Sequence, residues 1–155
     1  MPEETPDQPR RSKVLVVDDN PQNVELLVEY LASIECDTRT AADGLQALEA
    51  VKADPPDLIL LDIMMPRMSG FEVCRKLKSD PATRDIAIIM VTALNELGDI
   101  ERGVESGTDD FLSKPVNRLE LLTRVKSLLK LRHLKDELER TLTYLNDVES
   151  GPTGN

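Results

Sequence analysis

Histidine occurs once and cysteine twice in these 155 residues. Cys36 and Cys74 cannot build a disulfide framework, and their spacing matches no metal-ligand pattern. They read as small apolar residues of a reducing compartment, with the cytoplasm as the expected location. The lone His133 falls far along the last helical stretch, where it is expected to face solvent and not to bind a metal. No apolar run approaches the roughly 18 residues of a membrane span, so no membrane attachment is expected. The opening Met1-Pro2-Glu3-Glu4 lacks the apolar core of a signal peptide. A basic surplus is missing too. The formal net charge is -10, which argues against a nucleic-acid-binding surface, and no direct nucleic-acid contact is expected.

What is present is a globular composition, 40% hydrophobic and 31% charged, enough for one domain and an extension. Its centre is Leu58-Ile59-Leu60-Leu61-Asp62, followed by Ile63-Met64-Met65-Pro66-Arg67-Met68-Ser69-Gly70. Four consecutive apolar residues predict a strand buried on both faces, as in the middle of a parallel sheet. Asp62 then sits at the sheet's carboxyl edge, where open α/β folds place their ligands. Pro66 stops the strand, and Ser69-x-x-Glu72 has the form of a helix capping box. Taken alone, an acid at a strand end reads as well as a turn former or a cap.

Other stretches converge on it. Residues 1–12 carry three prolines and no periodicity, and are expected to be a disordered tail. Val14-Leu15-Val16-Val17 is a second buried strand, ending in Asp18-Asp19. Asn20-Pro21 is a helix start, and Val24, Leu27, Val28 and Leu31 line one face of that helix. Cys36 to Thr40 is a weak strand suited to a sheet edge, and Asp43-Gly44 opens a second helix. Ile86 to Val91 is a fourth strand, ending in Thr92-Ala93. A helix near Gly98 to Ser106 carries two glycines and should be the weakest in the domain. Asp109 to Leu112 is a short fifth strand that runs into Ser113-Lys114-Pro115. Asn117-x-x-Glu120 opens a long last helix reaching about Asn146.

Five alternations of strand and helix predict a doubly wound α/β fold with a five-stranded parallel sheet and an extended C-terminal helix. Such a fold gathers Asp18, Asp19, Asp62, Thr92 and Lys114 at one edge. Three clustered carboxylates repel one another and call for a cation. The donors are oxygens without a Cys/His set, so a hard ion such as Mg²⁺ is the natural choice.

The combination of Asp18-Asp19, Asp62 with Met65-Pro66-x-Met68-x-Gly70, Thr92-Ala93, and Phe111-x-x-Lys114-Pro115 resembles the receiver domain of two-component response regulators. The resemblance covers residues 13–130 and implies a flavodoxin-like fold. It implies that Asp62 accepts a phosphoryl group from a histidine kinase or a phosphotransfer protein. It implies that Asp19, Asp62 and the backbone carbonyl of Met64 ligate Mg²⁺, with Asp18 acting through metal-bound water. Lys114 would pair with the phosphoryl oxygens, Thr92 would hydrogen-bond them after transfer, and Phe111 would be the switch aromatic, though it reads equally well as ordinary core. The chain would then be a signalling switch that catalyses only its own phosphoryl transfer and loss. It is similar in pattern to receivers preceding diguanylate cyclase, cyclic-dinucleotide phosphodiesterase or phosphatase output domains, and its own downstream output is not specified.

Other classes fit less well. A haloacid-dehalogenase-like hydrolase needs Asp-x-Asp after its first strand, and position 20 is Asn. A flavin binder needs a Ser/Thr/Gly-rich phosphate loop where this chain has Asp18-Asp19-Asn20-Pro21. A degenerate receiver acting as a scaffold usually lacks the acceptor or the lysine, and both are present.

Beyond the receiver, residues 131–148 are expected to form a helical extension, and 149–155 a flexible tail. Leu131, Leu134, Leu138, Leu145 and Val148 fall at a and d spacing, with Thr141 the one polar interruption. That pattern predicts a coiled-coil homodimer.

Overall fold

The computed structural model describes residues 11–93 and 97–149. Strands β1 (Ser12–Val17), β2 (Cys36–Ala41), β3 (Leu58–Asp62), β4 (Ala87–Thr92) and β5 (Asp110–Ser113) form one sheet. They pair parallel throughout, in the order β2-β1-β3-β4-β5. Between them run α1 (Pro21–Leu31), α2 (Gly44–Ala53), α3 (Gly70–Ser79) and α4 (Leu97–Ser106), and α5 (Arg118–Glu149) follows. The architecture is the flavodoxin-like doubly wound fold with a long C-terminal helix.

Strand periodicity of two residues explains the two layers. On one face Leu15, Val17, Ile59 and Leu61 pack with Ala47 and Val51 of α2 and Phe71, Val73 and Leu77 of α3. On the other, Val14, Val16, Leu58 and Leu60 pack with Leu27 and Leu31 of α1 and Leu121, Val125 and Leu129 of α5. Every residue of β3 is buried, as its unbroken apolar run requires, each leucine contributing roughly 1.5–3 kcal/mol.

The helix starts follow the local chemistry. Asn20 Oδ1 accepts from the Gln22 backbone N–H, Ser69 Oγ from Glu72, and Asn117 Oδ1 from Glu120, so each side chain satisfies an otherwise orphan donor. Among the described residues no helix is long and apolar enough to cross a membrane.

Three expectations need correction. Ser12 is not tail: it is the first residue of β1, paired in register with Cys36, and Arg11 before it ion-pairs with Asp37 at 2.8 Å. His133 does not simply face solvent: it is half-buried, and its Nε2 lies 3.0 Å from Ser12 Oγ. Glu149, expected to open the C-terminal tail, is the last residue of α5, and residues 1–10 and 150–155 lie outside the described residues.

Candidate functional site

The strand order reverses between β1 and β3, since β1 continues to β2 on one side and β3 to β4 on the other. The carboxyl ends of these two neighbours therefore flank the crevice where such sheets bind ligands. Asp18 follows β1, and Asp62 ends β3. The acids of Asp18, Asp19 and Asp62 offer oxygens that all lie within 4.8 Å of one another.

The pocket is buried on one side and open on the other. Asp18 is 2% exposed and Asp62 3% exposed, whereas Asp19 faces solvent. Asp18 Oδ1 accepts from the Asn20 backbone N–H at 2.9 Å, and Asp62 Oδ1 accepts from the Met64 N–H at 3.4 Å. Lys114 reaches both buried acids, with Nζ 3.4 Å from Asp18 Oδ2 and 3.3 Å from Asp62 Oδ1. Its own N–H donates to the Thr92 carbonyl at 2.9 Å, which ties the lysine to β4. Thr92 is buried, one register step beyond Val91, which pairs with Asp62. Asp18, Asp19, Asp62 and Lys114 thus come together at the strand ends, with the Thr92 backbone adjoining through Lys114.

Burial raises the Asp62 pKa above the ordinary carboxylate range, and the charge of Asp18 raises it further. Lys114 and the Met64 N–H act in the opposite sense. One lysine does not neutralise three carboxylates. The donor set is oxygen-only and partly open through Asp19, which fits a hard divalent ion keeping some of its water.

The loop beyond Asp62 is held tight. Met65 N and Gly70 N both donate to the Ile63 carbonyl, at 3.1 and 3.0 Å, and Arg67 turns the chain at φ 69°. A Cβ at Gly70 would strike the Asp62 carbonyl oxygen and lie 2.8 Å from Ile63 Cα, so only glycine lets α3 begin here. Next to it, the Phe71 ring carries the Arg102 guanidinium 4.4 Å above its centroid, which links α3 to α4.

Phe111 lies on β5 and is half-buried, outside the acid pocket itself. Its ring packs against α4 at Gly103, where an added Cβ would sit 2.5 Å from the ring's far edge. Gly103 thus also leaves the space the ring occupies. Gly103→Ala should push the ring outward and leave the fold intact. The better helix propensity, about 1 kcal/mol, offsets part of an overpacking cost of about 1–3 kcal/mol. Side-chain NMR contacts between Phe111 and Met90 check this; a ring still packed as in the native chain contradicts it.

The fold, the buried acids at the switch point and the lysine against them define an open α/β domain with an acidic site at its strand ends. The model of the response regulator receiver domain matches residues 14–126. The chain belongs to that family, the receivers of two-component signalling. It is 48% identical over 129 residues to the response regulator PleD of Caulobacter vibrioides, spanning 83% of this chain and 28% of that protein. It is 42% identical over 139 residues to the DNA-binding response regulator MtrA of Mycolicibacterium smegmatis, spanning 90% of this chain and 58% of that one. The chain thus spans well under two thirds of these relatives. Among solved structures it resembles the chemotaxis response regulator CheY4 of Vibrio cholerae. There the TM-score is 0.72 with 28% identity, over 77% of this chain and 99% of that one.

Leu94, two residues beyond Thr92, lies outside the described residues. Reading the sequence missed the contacts at the far end of the sheet that hold α5, since they join residues 47 to 121 positions apart.

Proposed function

We propose that this chain takes a phosphoryl group onto Asp62 from the phosphohistidine of a histidine kinase or a phosphotransfer protein. The observation that carries the reading is a buried Asp62 with Asp18 and Asp19 oxygens within 4.8 Å and Lys114 at 3.3 Å. An Asp62 carboxylate oxygen forms the bond to phosphorus as the donor's P–N bond breaks, and the departing imidazole keeps the electron pair. Asp19, Asp62 and the Met64 carbonyl would hold Mg²⁺ directly, and Asp18 would do so through water. When bound, Mg²⁺ supplies charge neutralisation for the acids and the transferring oxygens. Lys114, released from Asp62, pairs with the phosphoryl oxygens, and Thr92 donates a hydrogen bond to them. The donor approaches over a cleft of about 370 Å³ lined in part by Asp18, Leu26, Lys114 and Pro115.

A hydrolase of the haloacid dehalogenase type is disfavoured by the position two residues beyond Asp18. Asn20 is there, and its side chain is used to cap α1. Binding of beryllium fluoride in the presence of Mg²⁺ tests the acceptor reading. A native chain that binds no beryllium fluoride while folded would favour a scaffold.

The added phosphate carries about 1.5–2 negative charges, and its pull on Thr92 is relayed to α4 through the repositioned Phe111 ring. The chain works as a switch in the cytoplasm. The net charge of -10 supports the absence of direct nucleic-acid contact by this segment.

The same reading gives a slow reset. The family resemblance places Met64, two residues beyond Asp62, and Leu94, two beyond Thr92, beside the phosphoryl group, and neither offers a carboxylate or amide to orient attacking water. Met64→Asn together with Leu94→Glu should speed phosphate release at least about tenfold. An unchanged rate, measured with labelled protein, contradicts the idea.

The stalk of α5 pairs with a second copy. Leu131, Leu134, Leu138, Leu145 and Val148 are each at least half exposed, and Leu142 and Tyr144 flank them. At 100° per residue this seam points away from the face that Leu121, Val125 and Leu129 bury. A parallel pair would remove it from water at about 25 cal/mol per Å². Leu138→Lys with Leu145→Lys should weaken the dimer more than about 100-fold, at roughly 1.5 kcal/mol or more for each leucine. Sedimentation checks this. A native chain that stays monomeric at high concentration, with and without beryllium fluoride, rules the pairing out.

A further inference from the structure

Helix α5 does not leave the domain where its apolar face ends. Beyond Leu129 its next turn reaches polar groups at the edge of the sheet opposite the acids. Arg132 Nη1 donates to the Asp85 carbonyl, and Arg132 Nε lies 3.6 Å from Asp57 Oδ1. Lys135 Nζ donates to Asp85 Oδ1 at 2.8 Å, and His133 Nε2 meets Ser12 Oγ at 3.0 Å. Three side chains of one turn thus hold the entrances of three strands, β1, β3 and β4.

Asp57 is a firm anchor. It is 5% exposed, and its Oδ2 accepts from the Lys13 N–H at 2.8 Å. Its own N–H donates to the Lys13 carbonyl at 2.8 Å, and its carbonyl accepts from Ala87 at 3.1 Å. A buried carboxylate needs a compensating cation, and Arg132, whose Nε is buried without a hydrogen-bond partner, stands beside it. The Lys135–Asp85 pair is half exposed on both sides and adds little to stability. Three side chains held to three strands do something else: they restrict how the helix can tilt and rotate about its last buried turn. Without them the helix beyond Leu129 would be tethered at one end only.

We infer that Arg132, His133 and Lys135 form a clamp that fixes the direction and rotational setting at which the stalk leaves the receiver. The stalk therefore moves as one body with the sheet, and the receiver's rigid part ends near Lys135, not at residue 130. The clamp acts within one chain, so it stands apart from whether two stalks pair.

Distances between spin labels test it, with cysteines introduced at the exposed Glu49 of α2 and Thr143 of the stalk; native Cys36 and Cys74 are buried. Excess unlabelled chain keeps the signal intramolecular whatever the oligomeric state. The native chain should give one narrow distance distribution. Lys135→Glu, and Arg132→Gln more strongly, should broaden it and remove its single maximum. Thermal unfolding of Lys135→Glu should stay close to native. The swapped pair Asp85→Lys with Lys135→Glu should restore the narrow form. A distribution in Lys135→Glu as narrow as in the native chain, at the same mean distance, overturns the clamp, as does a swapped pair that stays broad.

Discussion

Asp62→Asn is expected to abolish phosphoryl uptake and, without a divalent cation, to stabilise the folded chain by on the order of 1 kcal/mol. Both effects come from the same carboxylate. Burial is the main reason its pKa is raised, the neighbouring Asp18 adds to it, and Lys114 offsets only part. A carboxyl whose folded pKa lies above its unfolded value holds its proton more tightly when folded. Its destabilising effect is absent below the unfolded pKa and grows as pH rises through the folded one. Native and variant should therefore converge in stability on acidification, and differ at neutral pH in chelator. Mg²⁺ should stabilise the native chain more than the variant, because the amide removes a charged ligand. Asp19→Asn should likewise weaken Mg²⁺ binding. Thermal unfolding across pH, with and without Mg²⁺, checks the set. A variant less stable than the native chain at neutral pH in chelator contradicts the electrostatic account.

Gly70→Ala is expected to cost about 3 kcal/mol, the upper end of overpacking. The contrast with Gly103 decides the size. At Gly103 an added methyl meets the far edge of a phenyl ring that can turn aside, whereas at Gly70 it meets the backbone of Asp62 and Ile63. Backbone cannot rotate out of the way without moving the acceptor, so phosphorylation should fall together with stability. Urea unfolding and phosphorylation rate measured on the same preparation check this. A loss below about 1 kcal/mol with an unchanged rate would show that the loop yields more easily than its packing implies.

Much of this was legible in the residues. The unbroken apolar runs of β1 and β3 mark strands covered on both faces, and those strands turned out to flank the switch point. Asn20, Ser69 and Asn117 announced three helix starts because capping is a local interaction. Asp18 and Asp19 are equivalent as letters, yet one is buried and the other exposed. That difference comes from the end of β1, where the Asp18 N–H still bonds the Ala41 carbonyl of β2. At Gly103 the letters show only a poor helix former, because its partner, the Phe111 ring, comes from another element. His133 and Ser12 are 121 positions apart, and no local pattern links them. Asp57 follows Pro55-Pro56 and looks like a turn residue; only the fold shows it stitched to Lys13 and beside Arg132. Local chemistry and strand patterning carried the acid site, and what they missed depends on contacts across the sheet.

The most direct test is the intact mass of the native chain after incubation with acetyl phosphate, in Mg²⁺ and in chelator, followed by peptide mapping. The account predicts one phosphoryl group, on Asp62, formed with Mg²⁺ and not in chelator. An unmodified chain in Mg²⁺, or a phosphoryl group on a residue other than Asp62, would contradict it.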